Sequence, residues 1–337
     1  MTDFAPADIS AVLSDPQMAR VADKLPALIR PSIRLHLRVA GDGEDLPMGG
    51  TRFGGQPDLP VGTSWPMGHL EVPPPTEALR TADKDSRFLP ENGTFSLPFV
   101  AQIRLSEVRS HDTEKRLPSV GLLYFFYNES SFVSDTGGTV HATATIDGKA
   151  FSYALYGFGD PATWRVLFFS DENTKLERRS LPLDIPDHER YKPNVPVALL
   201  AEPTLPHVET GFIGEPDSER GALMLTAEEW GFYADVLHSE IRVSPIHQML
   251  GHSDDSQPYA MEGSFQRIRP VLFPELPPFE SLTEAEQQQE SIANRLLLQI
   301  DAHDNGMWFG RGGRLYFFIR ESDLAARDFS RVWAQAQ

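Results

Sequence analysis

Two stretches of the chain carry almost the same residues, and this repetition constrains the fold more than any other feature. GLLYFFYNES occupies residues 121–130, and GRLYFFIRES occupies residues 313–322, so that Tyr124 corresponds to Tyr316. Short aromatic runs that follow a glycine are typical of β-strands. Because polar and apolar residues do not alternate in either run, we predict strands that are covered on both faces.

A glutamine ends an apolar run upstream of each aromatic stretch. FVAQIRL at 99–105 contains Gln102, and LLLQIDA at 296–302 contains Gln299. A buried amide needs several hydrogen-bond partners, which a fold usually supplies from within. This favours a structural brace for both glutamines, with ligand contact as the open alternative. Each copy therefore predicts a strand, a loop and a second strand.

The two copies predict an α+β fold with a mostly antiparallel sheet, an internal pseudo-two-fold duplication and peripheral helices. Either copy alone offers few strands, so we expect the two to share one hydrophobic core. We expect residues 1–48 to form an N-terminal helix and a lead-in strand. Residues 49–337 are predicted to form a single domain of two related halves, about 49–200 and 201–337.

Two segments carry the signature of a helix capping box, a threonine followed three residues later by a glutamate. These pairs are Thr226 with Glu229 and Thr283 with Glu286. Apolar residues at helical spacing follow the first pair, and the second repeat follows the other. Both segments are predicted to be helices.

Helices are also predicted near the two ends of the sequence. Asp15 followed by a proline indicates a helix start, and apolar residues at helical spacing continue to Leu25. At the other end, Ser322 is predicted to cap a helix that runs almost to the last residue.

Composition limits the classes of partner. The chain has 48 acidic and 30 basic residues, a net charge of −18, which would repel phosphate backbones and excludes nucleic acid as a partner. Such a surface would attract a basic protein, for example a toxin. The absence of cysteine excludes disulfides and thiolate chemistry. Neither a secretory signal nor a long apolar run is present, so we expect a cytoplasmic protein without a membrane partner.

The most distinctive stretch is GGTRFGGQPDLPVGTSWP at 49–66. Gly54 permits a positive φ or a close backbone approach. Asp58 is expected to cap a turn or to hold Arg52, and Trp65 is expected to anchor the loop on the core. A structural loop is favoured, and a binding loop stays open because loops on rigid frameworks often carry function.

This stretch, followed in order by FVAQI, LPSVGLLYFFYN, HQMLGHSDDSQ, LLLQID, GRLYFFI and DFSRVW, resembles the YwqG-like family of uncharacterised bacterial proteins. The resemblance runs from about Gly54 to Trp333. It implies an α+β fold with an internal duplication and no established activity, although some relatives lie beside secreted toxins, as immunity proteins do. The sequence departs from the family at MWFGRGGRLYFF, where Arg311 replaces the acid of a Trp-Gly-Asp-like turn.

One segment, HQMLGHSDDSQ at 247–257, carries residues that can bind metals. His247 and His252 are five residues apart, whereas a helical zinc pair needs a spacing of three or four. We therefore expect turn caps and surface histidines here, with a metal site at His247, His252 and Asp254 as the weaker alternative. The sequence contains neither Gly-x-Ser-x-Gly nor Gly-x-Gly-x-x-Gly.

These observations favour a non-catalytic cytoplasmic binding protein that needs no cofactor, with an immunity or protein-interaction module as the specific version. The open alternative is a hydrolase or a small-molecule enzyme, metal-assisted or not, near His247, Asp254 and Asp301. Aromatic anchors and buried polar groups are typical of recognition sites. On that basis the candidate binding residues are Arg52, Asp58, Trp65, Gln102, His247, Gln257, Gln299, Asp301, Trp308 and Arg311.

Overall fold

Most strands in the part of the chain that the structure describes belong to one ten-stranded antiparallel sheet. The computed structural model describes residues 8–71, 93–128, 140–146, 149–155, 162–208, 210–213, 223–237, 241–242, 244–255, 260–302, 306–307, 309 and 313–337. The strands are β1 Arg30–Val39, β2 Arg52–Phe53, β3 Asp58–Pro60, β4 Met67–Glu71, β5 Gly93–Ser96, β6 Phe99–Arg104, β7 Leu122–Tyr127, β8 Val140–Ile146, β9 Lys149–Leu155, β10 Trp164–Phe169, β11 Leu176–Arg178, β12 Asn194–Thr204, β13 His247–Leu250, β14 Asn294–Asp301, β15 Arg314–Arg320 and β16 Trp333–Ala336.

Helices lie between and beside these strands. The α-helices are α1 Ser10–Ser14, α2 Leu105–Val108, α3 Ala227–Val236, α4 Ala260–Leu272, α5 Glu284–Ile292 and α6 Glu321–Ala326. Short 3-10 helices cover Pro16–Met18, Leu25–Leu28, Asp187–Glu189, Phe279–Ser281 and Phe329–Arg331. The predicted α+β class with a mostly antiparallel sheet is confirmed. None of the helices in the described ranges is both long and apolar enough to cross a membrane.

The strand order of the large sheet is β10-β7-β6-β2-β12-β1-β13-β14-β15-β16. On one side of the central β12–β1 pair, Arg52, Gln102 and Tyr124 lie side by side in adjacent strands. On the other side, Gln248, Gln299 and Tyr316 lie side by side in adjacent strands in the same way, with Gln248 at the position that corresponds to Arg52. The glutamines and tyrosines of the repeated segments therefore occupy matching registers. A two-stranded sheet, β11–β3, and a four-stranded sheet, β5-β4-β8-β9, accompany the large one.

Both aromatic strands are covered on their two faces, as predicted. All six residues of β7 are buried, and so are the five central residues of β15. The rings of Phe125 and Phe317 meet with centroids 4.9 Å apart, so the two strands pack against each other across one interior. At the ends of the sheet, the Trp164 Nε1 donates a hydrogen bond of 2.9 Å to the Val332 carbonyl. The sheet curls until its two ends almost meet.

The lead-in strand β1 lies at the centre of the large sheet. It pairs with β12 along its whole length and with β13 through Ser32–Leu35. The expected boundary between halves, at residues 200 and 201, falls inside β12.

The two capping boxes are confirmed. The Thr226 hydroxyl accepts a hydrogen bond from the Glu229 N–H, the Glu229 carboxylate accepts one from the Thr226 N–H, and α3 follows. Thr283 and Glu286 form the same pair at the start of α5. The second helix ends just before β14, so it leads into the second repeat as the sequence indicated.

The predicted helix after Asp15 is wrong. Asp15 does cap, because its carboxylate accepts a 2.8 Å hydrogen bond from the Gln17 N–H, but only three residues of 3-10 helix follow. Turns then lead to a second 3-10 segment at Leu25–Leu28. A helix of this length, stopped by Pro26, is marginal without tertiary support. Its apolar residues Met18 and Leu25 are nevertheless buried, as the pattern indicated.

The predicted C-terminal helix is also wrong beyond its first turns. Helix α6 ends at Ala326, and the next residue, Arg327, adopts a left-handed conformation with φ of 60°. The Asp328 carboxylate then caps a 3-10 turn, and β16 pairs with β15 through residues such as Trp333. Pairing at the sheet edge and burial of Trp333 override the helical pattern. Ser322 is not the cap, since Arg320 precedes the first helical residue without a side-chain hydrogen bond.

Candidate functional site

Tight turns follow β2 and β13 and redirect the chain across the neighbouring strands. Gly54 and Gly55 have φ of 68° and 71°, and Leu250 and Gly251 have φ of 60° and 73°. A Cβ on Gly54 would lie 2.4 Å from the Lys192 carbonyl oxygen. Glycine is therefore required at this position for both conformation and space.

Each turn leads to a buried aspartate. The Asp58 cluster, defined as Arg52, Asp58, Gln102, Tyr124 and Arg178, follows the first. The Asp58 carboxylate forms ion pairs with Arg52 and with Arg178, whose Nε lies 2.8 Å away. Burial alone would raise the pKa of Asp58, but the hydrogen bond from Arg178, that from the Gly49 N–H and the charge of Arg52 hold it below its ordinary value.

Gln102 and Tyr124 fix the backbone of this aspartate. The Gln102 Oε1 accepts from the Asp58 N–H at 2.8 Å, and its Nε2 donates to the Gly50 carbonyl at 2.7 Å. The Tyr124 hydroxyl donates to the Asp58 carbonyl. The amide of Gln102 is thus satisfied within the fold, as the structural-brace interpretation requires.

The Asp254 cluster, defined as Arg242, Asp254, Gln299, Arg314 and Tyr316, follows the second turn. The Asp254 carboxylate accepts from the Arg242 Nη1 at 2.9 Å and pairs with the Arg314 Nη1 at 2.5 Å. Burial would raise the pKa of Asp254, but the charges of these two arginines keep it below its ordinary value.

The second glutamine and tyrosine make the same backbone contacts as the first. The Gln299 Oε1 accepts from the Asp254 N–H at 2.9 Å, and its Nε2 donates to the Ile246 carbonyl at 3.2 Å. The Tyr316 hydroxyl donates to the Asp254 carbonyl at 2.9 Å. Gln299 is therefore also a brace.

The residues of the enzyme alternative, His247, Asp254 and Asp301, are buried and bonded to other groups of the protein. The Asp301 carboxylate accepts from the Ile246 N–H at 3.2 Å and lies 3.4 Å from the Arg314 Nε. The Asp301 N–H donates to the His247 Nδ1 at 3.1 Å. His247 and Asp301 are 1% and 0% exposed.

The expectation of surface histidines in this segment is wrong. His252 is buried like His247, and its Nε2 lies 2.7 Å from the Leu28 carbonyl oxygen. Burial, reinforced by the charge of Arg30, holds the pKa of His252 well below its ordinary value. Within the described ranges, no group of three or more His, Asp or Glu side chains is arranged to hold a metal ion.

A cleft of about 540 Å³, here called the β12 cleft, opens beside the Asp58 cluster. One wall is formed by Gly50, Thr51 and Arg52 at the start of β2. The opposite wall is formed by residues 195–199 of β12. The remaining lining residues are Arg38, Glu44, Leu46, Pro47, Glu107 and His111.

The β12 cleft is a split in the large sheet. Strand β2 pairs with β12 only through Phe53 and Asn194. Continuing that antiparallel register would place Pro196 opposite Thr51, and proline has no N–H to donate to a ladder. The strands therefore separate here, and β12 keeps its pairing with β1 alone.

The matching position beside β13 is closed. There the sheet continues through four residue pairs between Ser32–Leu35 of β1 and the strand β13. The depression left beside Gln248 holds only about 10 Å³. Arg34 fills it, with its Nη2 donating to the Pro245 carbonyl at 2.7 Å and its Nη1 lying 3.5 Å from the Glu202 Oε1.

Charges in the β12 cleft are unevenly compensated. Arg38 and Glu44 pair at the rim through two hydrogen bonds of 2.8 and 2.6 Å. Arg52 pairs with Asp58. Glu107 is exposed, its Oε2 accepts from the Thr51 N–H at 2.9 Å, and it forms no ion pair with any described residue.

The predicted site residues separate into several groups. Arg52 lines the β12 cleft, and Asp58 and Gln102 lie behind it. Trp65 anchors its loop as expected, with its Nε1 donating to the Leu97 carbonyl at 3.0 Å. The remaining described candidates, His247, Gln299 and Asp301, belong to or adjoin the Asp254 cluster. Gln257, Trp308 and Arg311 lie outside the described residues.

Most residues of the cleft were not singled out from the sequence. Arg38 lies in β1, Glu107 in α2, and Glu44 and His111 in loops, and none stands in a recognisable motif. Pro196 within a strand is the one local signal, because proline in a sheet marks an interrupted ladder.

Comparison with known families adds one match. The family described as "Domain of unknown function (DUF1963)" matches residues 51–337. No curated protein matches the chain.

Proposed function

We propose that this chain, which belongs to the YwqG-like family (the domain of unknown function DUF1963), is a non-catalytic protein-binding module. It recognises its partner in the β12 cleft. The observation that carries the proposal is the contrast between two matching positions. The sheet is split beside β2 and continuous beside β13.

Divergence of two copies after an internal duplication explains that contrast. In this proposal the two halves derive from one unit, and the matched contacts of Gln102 with Gln299 and of Tyr124 with Tyr316 support it. The copy around Asp254 has its depression filled by Arg34 and serves stability. The copy around Asp58 keeps its cleft open and serves recognition.

The size and lining of the cleft fit a recognition site. Pockets that receive a small molecule are usually concavities of about 300–1,000 Å³, mostly apolar and with few polar groups, and a side chain inserted by a partner needs no more room than that. The β12 cleft has about 540 Å³. Its apolar side chains come from Leu46, Pro47 and β12, and a few charged groups stand around them.

The partner that fits this acidic chain is a basic protein, for example a toxin neutralised by an immunity protein in the cytoplasm. A net charge of −18 speeds the encounter with a basic surface and discourages acidic ones. The neighbourhood of some relatives with secreted toxins agrees with this partner class.

No observation favours the enzyme alternative at His247, Asp254 and Asp301. Two arginines pair with the carboxylates, and the adjoining space of about 10 Å³ is no larger than the roughly 10–15 Å³ that a single water needs. A substrate would find neither room nor a free carboxylate there.

A peptide-display selection tests the proposal. Random dodecapeptides would be selected on the purified protein and their affinities measured by fluorescence anisotropy. Val197→Trp fills the cleft from β12, whereas Val120→Trp adds the same ring at a similarly exposed valine outside it (48% and 47% exposed). We expect the first variant to weaken binding at least about tenfold, since it removes the pocket, and the second to leave it unchanged. Equal effects of both, or no selected peptide above scrambled controls, would refute the proposal.

A further inference from the structure

We propose, building on the binding role above, that the β12 cleft receives a lysine or arginine side chain from an extended segment of the partner, with Glu107 as its counter-charge. Three properties of the lining support this occupant: charge, apolar walls and an open strand edge.

Charge is the first property. The two arginines that line the cleft already have carboxylate partners, Arg38 in Glu44 and Arg52 in Asp58, which Arg178 shares. Glu107 is exposed and has no ion pair among the described residues. A cation entering the cleft would therefore meet the Glu107 carboxylate, which accepts a hydrogen bond from the Thr51 N–H but forms no ion pair with the described residues.

Position of that carboxylate is also fixed. The Glu107 Oε2 accepts from the Thr51 N–H at 2.9 Å, across the cleft wall formed by the start of β2. Its second oxygen stays available to a ligand, because a carboxylate offers about four acceptor sites. The side chain is thus held in place before any partner arrives, which lowers the entropy lost on binding.

Apolar walls are the second property. Leu46, Pro47, Pro196, Val197 and Leu199 line the cleft. Lysine and arginine bury their aliphatic stems along apolar surfaces while the charged end reaches a polar group. A long cationic side chain therefore matches the cleft better than a short one.

The open edge of β12 is the third property. Among the described strands, Val195–Leu199 pair with β1 alone, and Val197 at the bulge of that ladder has no register partner there. An extended segment can lie along such an edge. Because Pro196 lacks an N–H, a full ladder cannot form, so side-chain insertion rather than strand addition must provide the specificity.

Peptides from the same display selection test the inference separately. We expect Lys or Arg to be enriched at one position, and Glu107→Gln to weaken those peptides by about 5- to 50-fold through loss of a charge-assisted contact. Glu228→Gln, at an exposed glutamate on α3, removes one charge elsewhere and serves as the matched control. Glu107→Lys should redirect the selection to peptides with Asp or Glu.

The outcomes distinguish the two proposals. Peptides that bind through the cleft, as judged by Val197→Trp, but show no basic residue and no response to Glu107→Gln would overturn this inference and leave the binding role intact. Peptides that ignore Val197→Trp would overturn the binding role itself. If spermidine at equal concentration displaced a selected peptide, the occupant of the cleft would be a small polycation and not a protein segment, which would overturn the inference. Retention of the peptide under that competition supports the proposal.

Discussion

Arg52 and Asp58 form an ion pair that is almost completely buried, with side-chain exposures of 3% and 0%. The pair stands directly behind the β12 cleft, since Arg52 also lines that cleft. Breaking a buried pair leaves an uncompensated charge, which costs far more than an exposed pair contributes.

We therefore expect Asp58→Ala to lower the free energy of unfolding by about 3–5 kcal/mol, because Arg52 stays buried without its partner. Urea unfolding followed by circular dichroism measures the change. Asp42→Ala, at an exposed aspartate, is the control and should stay within about 0.5 kcal/mol of the wild type. A loss below about 1 kcal/mol at Asp58 would mean that Arg52 escapes to solvent.

Gln102→Met and Gln299→Met should each destabilise the fold by about 2–4 kcal/mol. Each substitution keeps the volume but leaves one buried N–H and one carbonyl without their partners. The two losses should agree within about 1 kcal/mol and add in the double variant, because the sites share no partner.

Chemical denaturation of the three variants gives these values, and Gln17→Met at an exposed position is the control. If only one of the two substitutions were costly, the two glutamines would not be equivalent braces.

Gly54→Ala should be much more destabilising than Gly62→Ala. Both glycines have positive φ, 68° and 87°, so an alanine strains the backbone at either position. A Cβ at Gly54 also meets the Lys192 carbonyl oxygen at 2.4 Å, whereas nothing lies within 4 Å of one at Gly62.

We expect a difference of at least about 1 kcal/mol between the two variants, read from their thermal unfolding. Equal losses of stability would show that the turn after β2 can move away from Lys192. The close approach to Lys192 would then not be what requires glycine at position 54.

Stability should depend on pH through Asp255, next to the Asp254 cluster. Burial, and then the nearby Glu262, raise the pKa of the Asp255 carboxyl from 3.8 to about 7. The folded state therefore holds a proton that the unfolded chain releases above about pH 4. Its contribution to stability is present below pH 4 and is lost as the pH rises to about 7.

Asp255→Asn removes this titration. Relative to the wild type, we expect the variant to gain roughly 1–4 kcal/mol in unfolding free energy between pH 5 and pH 8. Asp23→Asn, at an exposed carboxyl, should show no such gain. A pH-independent difference between wild type and Asp255→Asn would mean that Asp255 is ionised in the folded state.

The repeated segments allowed the strands and their burial to be predicted, because β-propensity and lack of alternation act locally. The capping boxes at Thr226 and Thr283 could also be predicted from the sequence. The structures of the segment after Asp15 and of the residues after α6 could not be predicted in this way. Packing against the core determines the first, and pairing with β15 determines the second. Local propensity is a weak prior when tertiary contacts compete with it.

The site could be predicted only in part for a similar reason. Arg52 and Asp58 stand six residues apart in a glycine-rich stretch, and their pairing was one of two expected roles for Asp58. Glu107 and β12 approach Arg52 only in the folded chain, so no spacing in the sequence indicates the cleft.

The central position of β1 has a consequence for how the molecule assembles. Arg30 and Thr204 are hydrogen-bonded although 174 residues separate them along the chain. Long loops must close before such contacts form, which slows folding. The middle of the sheet therefore forms late during synthesis, after β12 has left the ribosome. A fragment that ends before β12 would expose β1 as an unpaired strand prone to aggregation.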